Sequence, residues 1–146
     1  MQSILFPAPA TTQDAAKALK VLKPYMSHGQ WLTVQKLCRT STEEHEYFWA
    51  KVKEYATRIE EMPKTYGQDG LGEGACVYLH YFIGSGDWHI TEKDSDPDGE
   101  GQIQAFGLAN LGYGAELGYI NIVELVKAGA ELDLYWNPRT LAEIKQ

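Results

Sequence analysis

The chain has 146 residues, 44% hydrophobic and 23% charged, with a net charge of −7. That length and balance fit one globular domain able to bury its own core, and they argue against a wholly disordered chain. Residues 1–10 offer only Ile4-Leu5-Phe6 before Pro7, so neither a signal peptide nor a membrane span is expected, and a cytoplasmic location is.

The charge is unevenly placed. Residues 1–40 hold five Lys and Arg against Asp14 alone, whereas residues 67–146 hold thirteen acids against four basic residues. The acidic part repels nucleic acid, so no direct nucleic-acid binding is expected through it. It reads either as a solubility face or as a surface that imitates a phosphate backbone toward a basic partner. Cys38 and Cys76 both lie in apolar runs and are expected as buried free thiols in a reducing compartment.

In chain order, residues 1–10 read as an extended arm, because Pro7 and Pro9 resist helix and central strand. Residues 11–62 read as about three helices. Thr11 or Thr12 caps the first, which carries Ala15, Leu19 and Leu22 at helical spacing, with Lys17, Lys20 and Lys23 opposite. Pro24 ends or kinks it. A second follows Ser27 with Trp31, Val34, Leu37 and Cys38. The third opens on a capping box, Ser41-Thr42-Glu43-Glu44, and carries Phe48, Val52, Tyr55, Ile59 and Met62 as a core stripe up to Pro63.

A glycine-rich loop spans 63–74, and residues 75–146 read as the sheet part. Ala75–Ile83 is almost continuously apolar and predicts a central strand buried on both faces. Gly84-Ser85-Gly86 is a hairpin signal, and Asp87–Lys93 alternates in the next strand. Further strands are expected near Gln102–Leu108 and Leu117–Ile122. Asn121 caps a short helix over Ile122–Ala128 that Gly129 closes, Glu131–Trp136 alternates in a last strand, and Thr140–Ile144 adds a helical turn. The fold class expected is α+β, with N-terminal helices on a largely antiparallel sheet of four to five strands, in a single domain over 1–146.

Chemistry-bearing patterns are sparse. Asp94-Ser95-Asp96-Pro97-Asp98-Gly99 matches half of a calcium loop, but Ala105 stands where a bidentate Glu is needed, so a solvated turn is expected. His80 and His89 fall near each other across the first hairpin, with Glu92 close in sequence. That trio carries the alternative reading of a metal-assisted enzyme. No nucleophile elbow, phosphate loop or dinucleotide loop occurs, so no catalytic residues are assigned and no cofactor or metal is expected. Aromatic residues are plentiful, and Tyr135 and Trp136 stand among Glu116, Glu131 and Asp133. Those five are the expected partner-binding residues, with rings as anchors and acids as rim.

The runs Val77–Phe82, Asp87–Asp94, Gln104–Leu108, Glu116–Ile120 and Glu131–Trp136, together with Lys23–Met26 and Met62–Tyr66, resemble a family of small proteins with a domain of unknown function. Its members are carried by phages, plasmids and integrative elements. The resemblance spans about residues 18–144. It implies an accessory gene of a mobile element, in a setting similar to that of anti-CRISPR and anti-restriction proteins, and it transfers no catalytic residue. The expected function is therefore non-enzymatic inhibition of a host defence protein or ribonucleoprotein complex. Such inhibition would work by acidic mimicry or by blocking nuclease recruitment. A structural or regulatory homodimer of the element is the remaining alternative.

Overall fold

The computed structural model describes residues 10–39, 44–95 and 102–145. Helix α1 (Thr12–Leu22) starts at a reciprocal cap: the Asp14 amide donates to Thr11 Oγ1 at 3.1 Å and the Thr11 amide donates to Asp14 Oδ2 at 2.9 Å. Pro24 cannot continue the helix, and the chain tightens into a 3₁₀ turn over Lys23–Tyr25. Helix α2 (His28–Arg39) is capped by Ser27, whose Oγ accepts from the Gln30 amide. Helix α3 (Glu44–Glu61) buries Val52, Tyr55, Ala56 and Ile59, and Met62 just beyond it, on one stripe, with Phe48 half-buried at its upper end. The expected capping box over 41–44 falls outside the described residues, apart from the backbone of Glu44. Two indoles tie the helices together: Trp31 Nε1 donates to Leu19 O and Trp49 Nε1 to Cys38 O, each at 2.8 Å.

The sheet part contains β1 (Cys76–Val77), β2 (Leu79–Ile83), β3 (Gly86–Glu92), β4 (Ala105–Asn110), β5 (Ala115–Ile120), helix α4 (Ile122–Lys127), β6 (Glu131–Leu132), β7 (Arg139–Thr140) and the turn-long α5 (Leu141–Ile144). Five strands pair antiparallel in the order β5-β4-β3-β2-β6, and β1 pairs separately with β7. The protein is α+β, with its helices first and its antiparallel sheet second. Asn121 and Thr140 cap α4 and α5 as their side chains predict.

Two expected strands are shorter than read. Ala75–Ile83 is not one buried strand: it breaks at Tyr78, whose amide donates to Ile90 O, and Phe82 and Ile83 beyond the break are exposed. The apolar run is divided between two sheets, so its length overstates the strand. Glu131–Trp136 pairs only at Glu131–Leu132. Asp133 then turns the chain by accepting the Tyr135 amide on its own Oδ1, an Asx turn that competes with strand extension.

Alternation sorts the strands onto two cores. Leu79, Tyr81, Ile90, Ala105 and Ile120 face the helices in the main core, while Val77, Leu108, Trp136 and Leu141 form a smaller cluster on the outer face. Strands β3 and β4 approach so closely that a Cβ on Gly107 would lie 2.0 Å from the His89 carbonyl oxygen, which reserves that position for glycine.

Because Ile59 is only 2% exposed at the centre of the α3 stripe, Ile59→Ala is expected to cost about 2–5 kcal/mol. Phe48→Ala, at the half-buried end, is expected to cost less. Urea unfolding midpoints of the two variants check the order, and equal midpoints would contradict the placement of the core.

Candidate functional site

The outer face of the sheet gathers the polar chemistry of the chain. His80 and His89 stand directly opposite each other on β2 and β3, a pairing in which their rings stack at 4.7 Å between centroids. His80 Nδ1 lies 2.9 Å from Asp133 Oδ2 and His80 Nε2 lies 2.7 Å from Asp87 Oδ1. Both ring nitrogens are thereby engaged, and neither is open for a metal or for proton transfer to a substrate. Trp136 closes over both rings at 5.2 and 5.3 Å, and the Arg139 guanidinium caps the indole at 4.4 Å. Trp136 itself is pinned from α3, where Tyr55 Oη and Arg58 Nη1 both donate to its carbonyl at 2.8 and 2.9 Å.

His89 differs from its neighbour. Its buried Nδ1 has no hydrogen-bond partner. Burial above all, then the adjacent His80, depress its pKa to about 4; Asp87 opposes the shift and Arg139 adds to it.

Further along the same face a cleft of about 440 Å³ opens between the 66–75 loop and the sheet. Gln68 fastens the loop: its Nε2 donates to Cys76 O and Thr91 O, and its Oε1 accepts the Cys76 amide at 2.7 Å. Tyr66, held at a φ of +76° that a bulky side chain rarely adopts, reaches across the mouth to share a hydrogen bond with the Tyr119 hydroxyl. Phe106, Leu117 and Leu141 supply apolar wall. Thr91 and Glu92 both line the cleft although they are consecutive, because a bulge interrupts the β3–β4 register between Ile90 and Glu92. Glu92 is 5% exposed, and the one hydrogen bond to its carboxylate comes from the Thr91 hydroxyl.

These placements separate the sequence-derived sets. His80 and His89 meet, but Glu92 lines the cleft and not the histidine stack, so the trio of the metal-enzyme reading does not converge. Among the described residues no group of three or more His, Cys, Asp or Glu side chains is arranged to hold a metal ion. The partner-binding set also divides. Glu116 is exposed on edge strand β5, whereas Glu131 lies on β6 at the opposite edge. Asp133 is engaged by His80, and Tyr135 is 73% exposed. Trp136 is 6% exposed and belongs to the outer cluster, so it is core and not an anchor. The turn over 94–99 lies mostly outside the described residues; Asp94 within them accepts the Ile103 and Gln104 amides on its Oδ2.

The cleft was the element the sequence concealed. Gly70 and Gly72, both at positive φ, are its only local signal, since a bulge and a side-chain clamp leave no periodic trace. No family model, curated protein or solved structure matches the chain.

The His89 shift carries a pH dependence. A histidine titrates near 6.5 when unfolded and about 4 here, so between those values the unfolded chain binds the extra proton and the folded chain does not. Stability is full above about 6.5 and falls as the pH drops toward 4, by ~1–2 kcal/mol after solvent screening of the partly exposed ring. His89→Phe keeps the stack against Trp136 and is expected to flatten that part of the urea-midpoint profile; an unchanged slope would contradict the assignment.

Proposed function

We propose that this chain is a non-enzymatic protein of a mobile element that binds and inhibits a host defence complex through the edge of its sheet. The observation that supports the reading is strand β5. Among the described residues nothing pairs with its outer edge, and it carries no Pro, Lys or Arg of the kind that blocks strand addition. Leu117 and Tyr119 on the strand, Leu111 and Tyr113 at the hairpin tip and Tyr66 beside it are all exposed, Tyr113 at 95%. Rigid aromatic rings beside an unpaired strand are what strand addition and anchor contacts both use.

Charge favours a basic partner: Glu116 stands on the strand, and the sheet half of the chain is strongly acidic. The opposite edge is a poorer candidate. Gln30 covers β6 by donating to Leu132 O at 2.8 Å and accepting the Leu132 amide at 2.9 Å, as a neighbouring strand would. The setting of a defence inhibitor comes from the resemblance to proteins of phages and plasmids and from the acid balance. No helix among the described residues is long and apolar enough to cross a membrane.

Plasmid cleavage by purified RNA-guided and restriction nucleases, with and without the chain, tests the reading. One nuclease is expected to slow by at least about tenfold, with the inhibition weakening as salt screens the exposed charges within ~8 Å. The double variant Glu116→Lys with Leu117→Lys, both positions exposed, is expected to restore cleavage at unchanged thermal stability. A whole panel indifferent to the chain, or one inhibited equally by the variant, would reject the proposal.

A further inference from the structure

We infer that the cleft under the 66–75 loop is a receptor for a primary alkylammonium group, with Glu92 as its counter-ion. The proposal stands on the cleft alone and does not depend on the β5 reading. A buried carboxylate ordinarily has a cation beside it, because removing its charge from water without one is costly. Glu92 has none. All of the chain's Lys and Arg lie in the described residues, and their ion pairs to described acids go to Asp14, Glu54 and Glu73. The nearest in sequence, Lys93, turns away and donates its ammonium to the carbonyls of Ile59 and Glu60 at the end of α3. One carboxylate oxygen, Oε2, takes the Thr91 hydroxyl, which leaves Oε1 for whatever enters the cleft.

The cleft fits the rest of such a ligand. Its volume of about 440 Å³ lies within the ~300–1,000 Å³ of ordinary small-ligand sites. Phe106, Leu117 and Leu141 offer an apolar channel for an aliphatic stem, and the rings of Tyr66 and Phe106 favour a cation near their faces. Asp69 at the rim adds attraction for an approaching positive charge. A guanidinium fits less well. Its fork is matched by two free carboxylate oxygens, and here one is already spent on Thr91. The Gln68 amide is likewise committed, with both its oxygen and its nitrogen bonded to backbone. A point charge on a flexible stem is what remains, and it has two sources: a free alkylamine or a lysine side chain of another protein.

Titration of the full chain with n-butylammonium, N-acetyl-lysine N-methylamide, n-butylguanidinium and n-butanol, followed by amide resonances, decides the matter. Saturable shifts of Thr91, Glu92 and Phe106 are expected with both ammonium probes, and weaker ones with the guanidinium and the alcohol. Glu92→Gln keeps the shape and the Thr91 hydrogen bond and is expected to weaken ammonium binding by about tenfold or more. Should that variant fail to fold, Leu117→Trp, which fills the mouth from an exposed position, is expected to do the same. Tighter binding of the lysine amide than of butylammonium supports a protein side chain as the natural occupant, and the reverse order supports a free amine. No saturable shift at these amides, equal binding of butanol, or unchanged binding in the variants would overturn the assignment.

Discussion

The bulge in β3 is the constraint from which the outer face follows. A regular strand sends consecutive side chains to opposite faces, and at Thr91–Glu92 that rule would have driven one of them into the helical core. The extra residue between the Ile90 and Glu92 pairings places both on the outer face instead. Ile90, one step earlier, keeps its place in the main core. The backbone around the bulge is held from both sides: Thr91 O accepts from Gln68, and Gly107 allows β4 to press against His89. Removing any of these supports frees the bulge to slip, and a slip by one residue would exchange Glu92 for a core side chain.

Management of the sheet edges separates structural surface from usable surface. Gln30 reaches more than a hundred residues along the chain to close β6, spending its whole amide on one backbone position. The neighbouring small sheet is closed by β7 and by the Leu141 amide, which donates to Ala75 O. Strand β5 receives no equivalent treatment among the described residues, although its length gives it the most to protect. An unpaired edge with several exposed rings beside it differs from exposure by itself, since single exposed apolar residues are common on any surface.

The sequence spoke clearly wherever a local rule decides the outcome. The α1 cap at Thr11–Asp14, the stop at Pro24, the α3 stripe, the hairpin at Gly84-Ser85, the cap at Asn121 and the helical turn after Thr140 are all set by neighbouring residues, and all stand as read. The opposition of His80 and His89 was also legible, because a two-residue turn fixes the register of the strands it joins. What failed was the reading of long apolar runs. Ala75–Ile83 looked like one buried strand because composition does not record that Cys76–Val77 belongs to a different sheet. Trp136 looked like an anchor among acids because nothing local says that Tyr55 and Arg58, about eighty positions earlier, draw its backbone inward. Glu116 and Glu131 looked like neighbours, yet the strand order sets them at opposite edges.

The carboxylates of the outer face make the final distinction. Asp87 and Asp133 bracket His80, so their charges answer a ring that is itself fixed by stacking on His89 and Trp136. Around His80 that cluster is closed: both of its ring nitrogens are bonded to carboxylates, and the one buried nitrogen left without a partner is Nδ1 of His89. Its value is positional, since it joins β2, β3 and the turn after β6 at one point. Glu92 is the more deeply buried acid and has the poorer company, a single neutral hydroxyl. Folding tolerates such a group only where the surrounding contacts over-determine it, as the Gln68 clamp and the bulge do here. Two sets of acids on one face therefore have opposite meanings. The matched set holds the strands together, and the unmatched one lines the cleft with no cation beside it among the described residues.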